Sequence, residues 1–216
     1  MPVSTVVGKR IDFSDKSKFV SIVGTRNPTQ QEWDAAFAFG KLSVLSGFIV
    51  VSGLADGIDT AAHCGALSVS GDFAKTVAIL STAPNEKVYP PKNIELAEAI
   101  KENGALVHCY NTIAPWTKEK FGPKQKRLAE RSAMQAYFTS AVVAVNSPLP
   151  IHGGTRWAMN YGKHFGARVL RYGPDRKVYA DPDYKIEKNL IWWDMEMNLE
   201  QVGQELMTGN YNYLER

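Results

Sequence analysis

The chain has 216 residues, 44% of them hydrophobic and 22% charged, a balance that builds one generous globular domain and excludes intrinsic disorder. Its formal net charge of +3 permits a polyanionic partner but lacks the strong basic bias of a dedicated electrostatic DNA binder. Cys64 and Cys109, the two cysteines, have neither metal-ligand spacing nor disulfide-scaffold density, and no apolar run reaches bilayer length; a soluble, cytoplasmic protein without a metal is expected.

Phe19-Val20-Ser21-Ile22-Val23 is the first apolar run and it ends at Gly24. Asn27-Pro28-Thr29 then opens a segment rich in Ala, Phe and Leu as far as Leu45. That pattern predicts a buried strand, a glycine turn and a helix whose start the proline marks. Phe48 to Ser52 repeats the plan, ends at Gly53, and leads through Asp56-Gly57-Ile58-Asp59 into an alanine-rich stretch ending at Leu67. Thr76 to Leu80 is a third strand, Ile94 to Glu102 a helix stopped by Asn103-Gly104, and Ala105-Leu106-Val107 a weak strand. Residues 110–123 have no period and read as a loop, followed by a helix from Lys124 to Phe138. Ala141 to Val145 has the clearest strand pattern; Thr155 to Phe165 is a helix and Arg168-Val169-Leu170 a closing strand. Continuous apolar strands alternating with helices predict a doubly wound, mostly parallel α/β sheet of Rossmann-like type, with helices on both faces. Residues 1–171 form this core, and 172–216 an extension of a short strand plus a helix packed on it. The Trp192-Trp193 pair in that extension reads as a packing anchor.

Three strand-end loops concentrate the unusual residues. Gly24-Thr25-Arg26 combines a glycine turn, a following helix N-terminus and a guanidinium, which suits a phosphate. Ser52, Gly53, Asp56 and Gly57 supply a second anion-accepting turn, with Asp56 as a helix cap. His63 follows Asp59 by one helical turn, the spacing of an acid–base pair, although a helix-internal histidine satisfied by a neighbour is the commoner case. His152-Gly153-Gly154-Thr155, the third loop, opens the helix that runs to Phe165 with two glycines and a hydroxyl, which again suits a phosphate. No loop matches a Walker, dinucleotide, nucleophile-elbow or zinc pattern, so no cofactor is implied. Lys118, Lys120, Lys124, Lys126, Arg127 and Arg131 form the densest basic stretch, which reads either as a solvated helix face or as a groove extending the phosphate site.

In this order, Ser21 to Arg26, Val51 to Asp59, Ala62-His63, Gly65-Ala66-Leu67, Val77 to Leu80, Tyr89-Pro90 with Asn93 and Leu96, and Gly154-Thr155 resemble the DprA/Smf family of DNA-processing proteins. The resemblance also reaches the wider group that includes the LOG-type nucleotide-processing enzymes. It implies a non-enzymatic protein that binds single-stranded DNA, self-associates as a homodimer and helps to load a RecA-type recombinase in recombination or DNA uptake. It places Gly24, Thr25, Arg26, Ser52, Gly53, Gly154 and Thr155 around a phosphate pocket, and the basic stretch, read as a groove beside it, puts Lys120, Lys124, Arg127 and Arg131 with Arg26 toward DNA. The chain departs from the family at Arg131-Ser132-Ala133, where the pattern is Arg-Asn-Arg, and at His108-Cys109, where a Ser-Glu pair is usual. Two alternatives use the same loops: a binder or sensor of a nucleotide-derived small molecule, and a LOG-like nucleotide phosphoribohydrolase using Asp56, Asp59 or Glu130.

Overall fold

A computed structural model describes residues 4–109, 123–145, 151, 153–180, 201–202 and 204–214, with side chains in 123–137 described from Arg127 onward. Lys118, Lys120, His152 and Trp192-Trp193, and the side chains of Lys124 and Lys126, lie outside that description.

The valine- and isoleucine-rich runs form strands because a branched Cβ packs well on a pleated surface. In chain order the strands are β1 (Thr5–Gly8), β2 (Phe19–Gly24), β3 (Ile49–Ser52), β4 (Thr76–Leu80), β5 (Gly104–His108), β6 (Ala141–Val145), β7 (Arg168–Tyr172), β8 (Val178–Ala180) and β9 (Asn212–Leu214). The helices are α1 (Gln30–Leu45), α2 (Ile58–Leu67), α3 (Ile94–Asn103), α4 (Pro123–Tyr137) and α5 (Gly153–His164). Helical residues 204–208 precede β9. No helix among the described residues is long and apolar enough to cross a membrane.

The strands join one sheet in the order β8-β7-β6-β2-β3-β4-β5-β1-β9. From β7 through to β5 every pairing is parallel, and β8 and β1 run antiparallel to β7 and β5. Alternate residues feed two cores. Val23, Val142 and Ala144 face Ala133 and Met134 of α4 and Ala158 and Met159 of α5. Ile22, Val143 and Val145 face Ala36 of α1 and Ala62 and Ala66 of α2. A strand buried on both sides cannot alternate polar and apolar residues, which is why these runs are continuously apolar.

Two boundaries differ from the sequence expectation. Pro28 does not open α1; Thr29 is its N-cap, and Thr29 and Glu32 close a reciprocal capping box that satisfies the first free amides. Arg168–Tyr172 does not close the sheet, because β8 adds the edge beyond it. At the opposite edge β1, absent from the sequence reading, sits between β5 and β9. Glu205 there accepts hydrogen bonds from the backbone N–H and the hydroxyl of Ser4.

After β2 the chain winds outward through β3, β4 and β5, then returns to lay β6 on the other side of β2. Loops leaving β2 and β6 therefore diverge and leave a crevice at the carboxyl ends of the strands, the point where ligands sit in sheets of this type.

Candidate functional site

A cavity of about 460 Å³ occupies that crevice. Gly24, Thr25 and Arg26 line it after β2, Ala55 and Asp59 after β3, Arg131, Ser132 and Gln135 from α4, and Gly153, Gly154 and Thr155 from the first turn of α5. Elements distant in sequence meet here only because the winding reverses between β2 and β6.

The segment 53–57, which contributes Ala55 to the lining, is clamped at nearly every residue. Asp59 Oδ2 accepts the backbone N–H groups of Gly53 and Ala55, each at 3.2 Å. The Thr60 hydroxyl donates to the Ala55 carbonyl at 2.8 Å. The Asn93 amide donates to the Leu54 carbonyl at 2.9 Å, and Arg131 Nη1 to that of Gly53 at 2.9 Å. Leu54 is held at φ 58°, a left-handed conformation uncommon for a side chain of its size, and these bonds hold it there. Gly57 caps α2 at φ 77°, where a Cβ would meet the Thr25 carbonyl oxygen at 2.4 Å. The next amide, on Ile58, donates to that same oxygen at 3.1 Å and staples the two loops together.

The glycines divide into two kinds. A Cβ on Gly24 would lie 2.2 Å from the Val145 carbonyl oxygen, and one on Gly53 would lie 2.6 Å from Arg131 Cζ. These two make room for protein: Gly24 for β6 and Ile58, Gly53 for the arginine lying across it. Gly153 and Gly154 meet nothing within 4 Å. They are exposed and line the cavity at the start of α5, where unpaired helix amides and the helix dipole favour an anion. Gly153 also needs its freedom, at φ 61°.

Charge in the site is unevenly compensated. Burial pushes the Asp59 carboxyl above the usual carboxylate range, and the Arg131 guanidinium and the donated N–H groups only partly oppose this. Burial likewise lowers the Arg131 pKa, with Asp59 opposing and the positive charge of Arg26 reinforcing the fall. Arginine remains charged throughout the accessible range. Arg131 Nε is buried without a partner. An anion entering the cavity would relieve two neighbouring guanidiniums that one buried carboxylate does not balance.

Not every predicted site residue reaches this cavity. Gly24, Thr25, Arg26, Gly153, Gly154, Thr155 and Arg131 are brought together around it, whereas Ser52, Gly53, Asp56 and Gly57 are absent from its lining. Ser52 is fully buried and its hydroxyl donates to the Ile22 carbonyl at 2.7 Å, a strand-to-strand tie. Asp56 does not cap α2; it pairs with Lys92 at 3.2 Å and borders a small side cavity between Arg26 and Tyr89. Arg127, expected toward DNA, is instead buried against Glu86, its Nη1 2.9 Å from Oε2. Sequence reasoning missed Ser132 and Gln135 because a polar residue on a helix ordinarily marks the solvent face.

The His63–Asp59 pairing does not form. His63 is fully buried and its Nδ1 lies 2.7 Å from the Thr76 hydroxyl. That hydroxyl donates its single proton to the Val50 carbonyl, so the histidine must be the donor and carries its proton on Nδ1. Asp59 is occupied by the 53–57 clamp, which leaves it poorly placed to act as the base of a hydrolase. Among the described residues no group of His, Cys, Asp and Glu is arranged to hold a metal ion.

A family model described as DNA recombination-mediator protein A matches residues 6–178. Protein Smf of Synechocystis is 34% identical over 129 residues, covering 60% of this chain and 30% of the relative. DNA processing protein DprA of Bacillus subtilis is 30% identical over 92 residues, covering 43% of this chain and 30% of the relative. The chain thus matches about a third of the length of these curated relatives. In structure it is similar to DNA processing protein A of Helicobacter pylori, whose report concerns a single-stranded DNA binding mode. That likeness has a TM-score of 0.62 at 18% identity and covers 96% of this chain and 80% of the other. At that identity it is a likeness of fold.

Proposed function

Because the chain belongs to the DNA recombination-mediator protein A family, we propose that it binds single-stranded DNA, gripping a backbone phosphate at the crevice between β2 and β6. The observation that carries this reading is the convergence of Arg26, Arg131 and the first turn of α5 on one cavity. Helix amides and guanidiniums are the donors that phosphate oxygens take, and the fold is shared with a DNA processing protein described as binding single-stranded DNA. The residues supporting the reading are fewer than the basic stretch suggested, since Arg127 is committed to Glu86. Self-association, partnership with a RecA-type recombinase and a place in recombination or DNA uptake belong to the same proposal and rest on family membership.

Fluorescence anisotropy with a labelled oligothymidylate over a salt series tests it. Affinity should fall with rising salt. Arg26→Ala should weaken binding roughly ten-fold and reduce the salt slope by about 0.7, the value for one single-strand phosphate contact. Binding that ignores salt, or that matches binding to an acidic polypeptide, overturns the reading.

A further inference from the structure

A phosphate group alone leaves most of this cavity unused. Its volume of about 460 Å³ lies in the range of sites that enclose a whole small ligand. Its lining is also chemically mixed. Arg26, Arg131 and the α5 N-terminus are anion-directed, Val23, Ala55 and Ala158 are apolar, and α4 also presents Ser132 and Gln135 one turn apart.

Gln135 is the unusual member. It is 1% exposed, yet its Nε2 has no hydrogen-bond partner. A buried amide donor left unpaired costs stability and is rare in folded proteins. Ser132, 3% exposed, donates its hydroxyl proton to the Leu128 carbonyl at 3.0 Å, which leaves its oxygen lone pairs to accept. Beside Arg131, α4 thus brings to the cavity a neutral donor to spare and an acceptor one turn from it.

We propose that Gln135 is a recognition residue and that the cavity takes an intact nucleoside monophosphate. The phosphate sits at Arg26 and the α5 amides, and an acceptor oxygen of the sugar or base takes the Gln135 amide proton. Ser132 accepts from a donor on the same ligand, and the apolar residues flank the ring. The inference rests on the phosphate site of the proposed function and adds the neutral groups of α4 to it. The monophosphate arrives either free or as the 5′-terminal unit of a single strand, which present the same chemistry.

Calorimetric titration of the full chain with inorganic phosphate and with each deoxynucleoside 5′-monophosphate is the test. At least one nucleotide should bind ten-fold or more tightly than phosphate, and Gln135→Met should cut that ratio at least five-fold. Gln135→Leu serves the same purpose should the methionine variant fold poorly. Nucleotides and phosphate within two-fold of each other in the wild type overturn the inference. So does a ratio that the substitution leaves unchanged, which would make Gln135 a structural oddity.

Competition by an oligonucleotide with and without a 5′-phosphate identifies the source. A gain from the phosphate selects the strand end, and equal competition selects the free nucleotide. The two proposals fail separately. Salt- and Arg26-dependent oligonucleotide binding with no nucleotide preference keeps the DNA reading and removes this one. Gln135-dependent nucleotide binding without oligonucleotide binding does the reverse.

Discussion

Replacing His63 with leucine should remove an acid-sensitive component of folding stability. His63 is fully buried, donates to Thr76 and leaves Nε2 unpartnered, and burial takes its pKa from 6.5 down to about 3. Between those values the unfolded chain binds a proton that the folded chain refuses, so stability falls as pH falls. Each pH unit costs about 1.36 kcal/mol over this window, which gives about 2 kcal/mol by pH 5. His108 is also held low, chiefly by burial, and adds to the same trend, while the raised Asp59 carboxyl works against it by favouring its protonated form in the folded state. Both contributions are common to wild type and variant, so the difference between the two isolates His63. Urea unfolding at pH 7, 6 and 5 measures it. At pH 7 the two proteins should be close, because leucine fills a similar space and removes an unpaired nitrogen. By pH 5 the wild type should have lost about 2 kcal/mol more than the variant. Parallel stability curves would refute the reasoning and mean that the buried imidazole accepts a proton without penalty.

Three further substitutions separate scaffold from site. Gly24→Ala drives a Cβ to 2.2 Å from the Val145 carbonyl oxygen; a loss of about 3 kcal/mol or more is expected by denaturant titration, since backbone on both sides resists movement. Gly154→Asp has open space around its Cβ and places a carboxylate in the first turn of α5. The melting temperature should hold or rise, consistent with about 0.3–1 kcal/mol from the helix dipole, while oligonucleotide affinity drops at least ten-fold; retained binding would show that phosphate goes elsewhere. Gln135→Met removes a buried unpaired donor and should stabilise the free protein by about 1 kcal/mol, a rise of roughly 2–4 °C by calorimetry.

The strand–turn–helix order could be read directly from the chain because continuous apolar strands have few other solutions. The Val143 and Val145 side chains need one helical layer and Val142 and Ala144 the other, so the sheet had to be covered on both faces. The meeting of the first and third glycine loops followed from the same topology. Hidden from the sequence was the direction in which each glycine matters. That Gly53 accommodates Arg131 depends on a contact across 78 residues, and no local pattern encodes it. Strand β1 escaped notice because it has only four residues and its partner β9, the edge strand, lies at the other end of the chain. The ion pair of Arg127 and the burial of Gln135 were hidden for one shared reason. A polar residue on an amphipathic helix looks the same in sequence whether it faces water, a carboxylate or a cavity.

The clamped segment 53–57 also bears on the timing of any encounter. A segment fixed by Asp59, Thr60, Asn93 and Arg131 has little disorder left to lose, so arrival need not wait for it to rearrange. Association should then approach the rate that diffusion and charge attraction permit, and added salt should slow arrival more than it hastens departure. Substitutions inside the cavity should show themselves mainly in residence time.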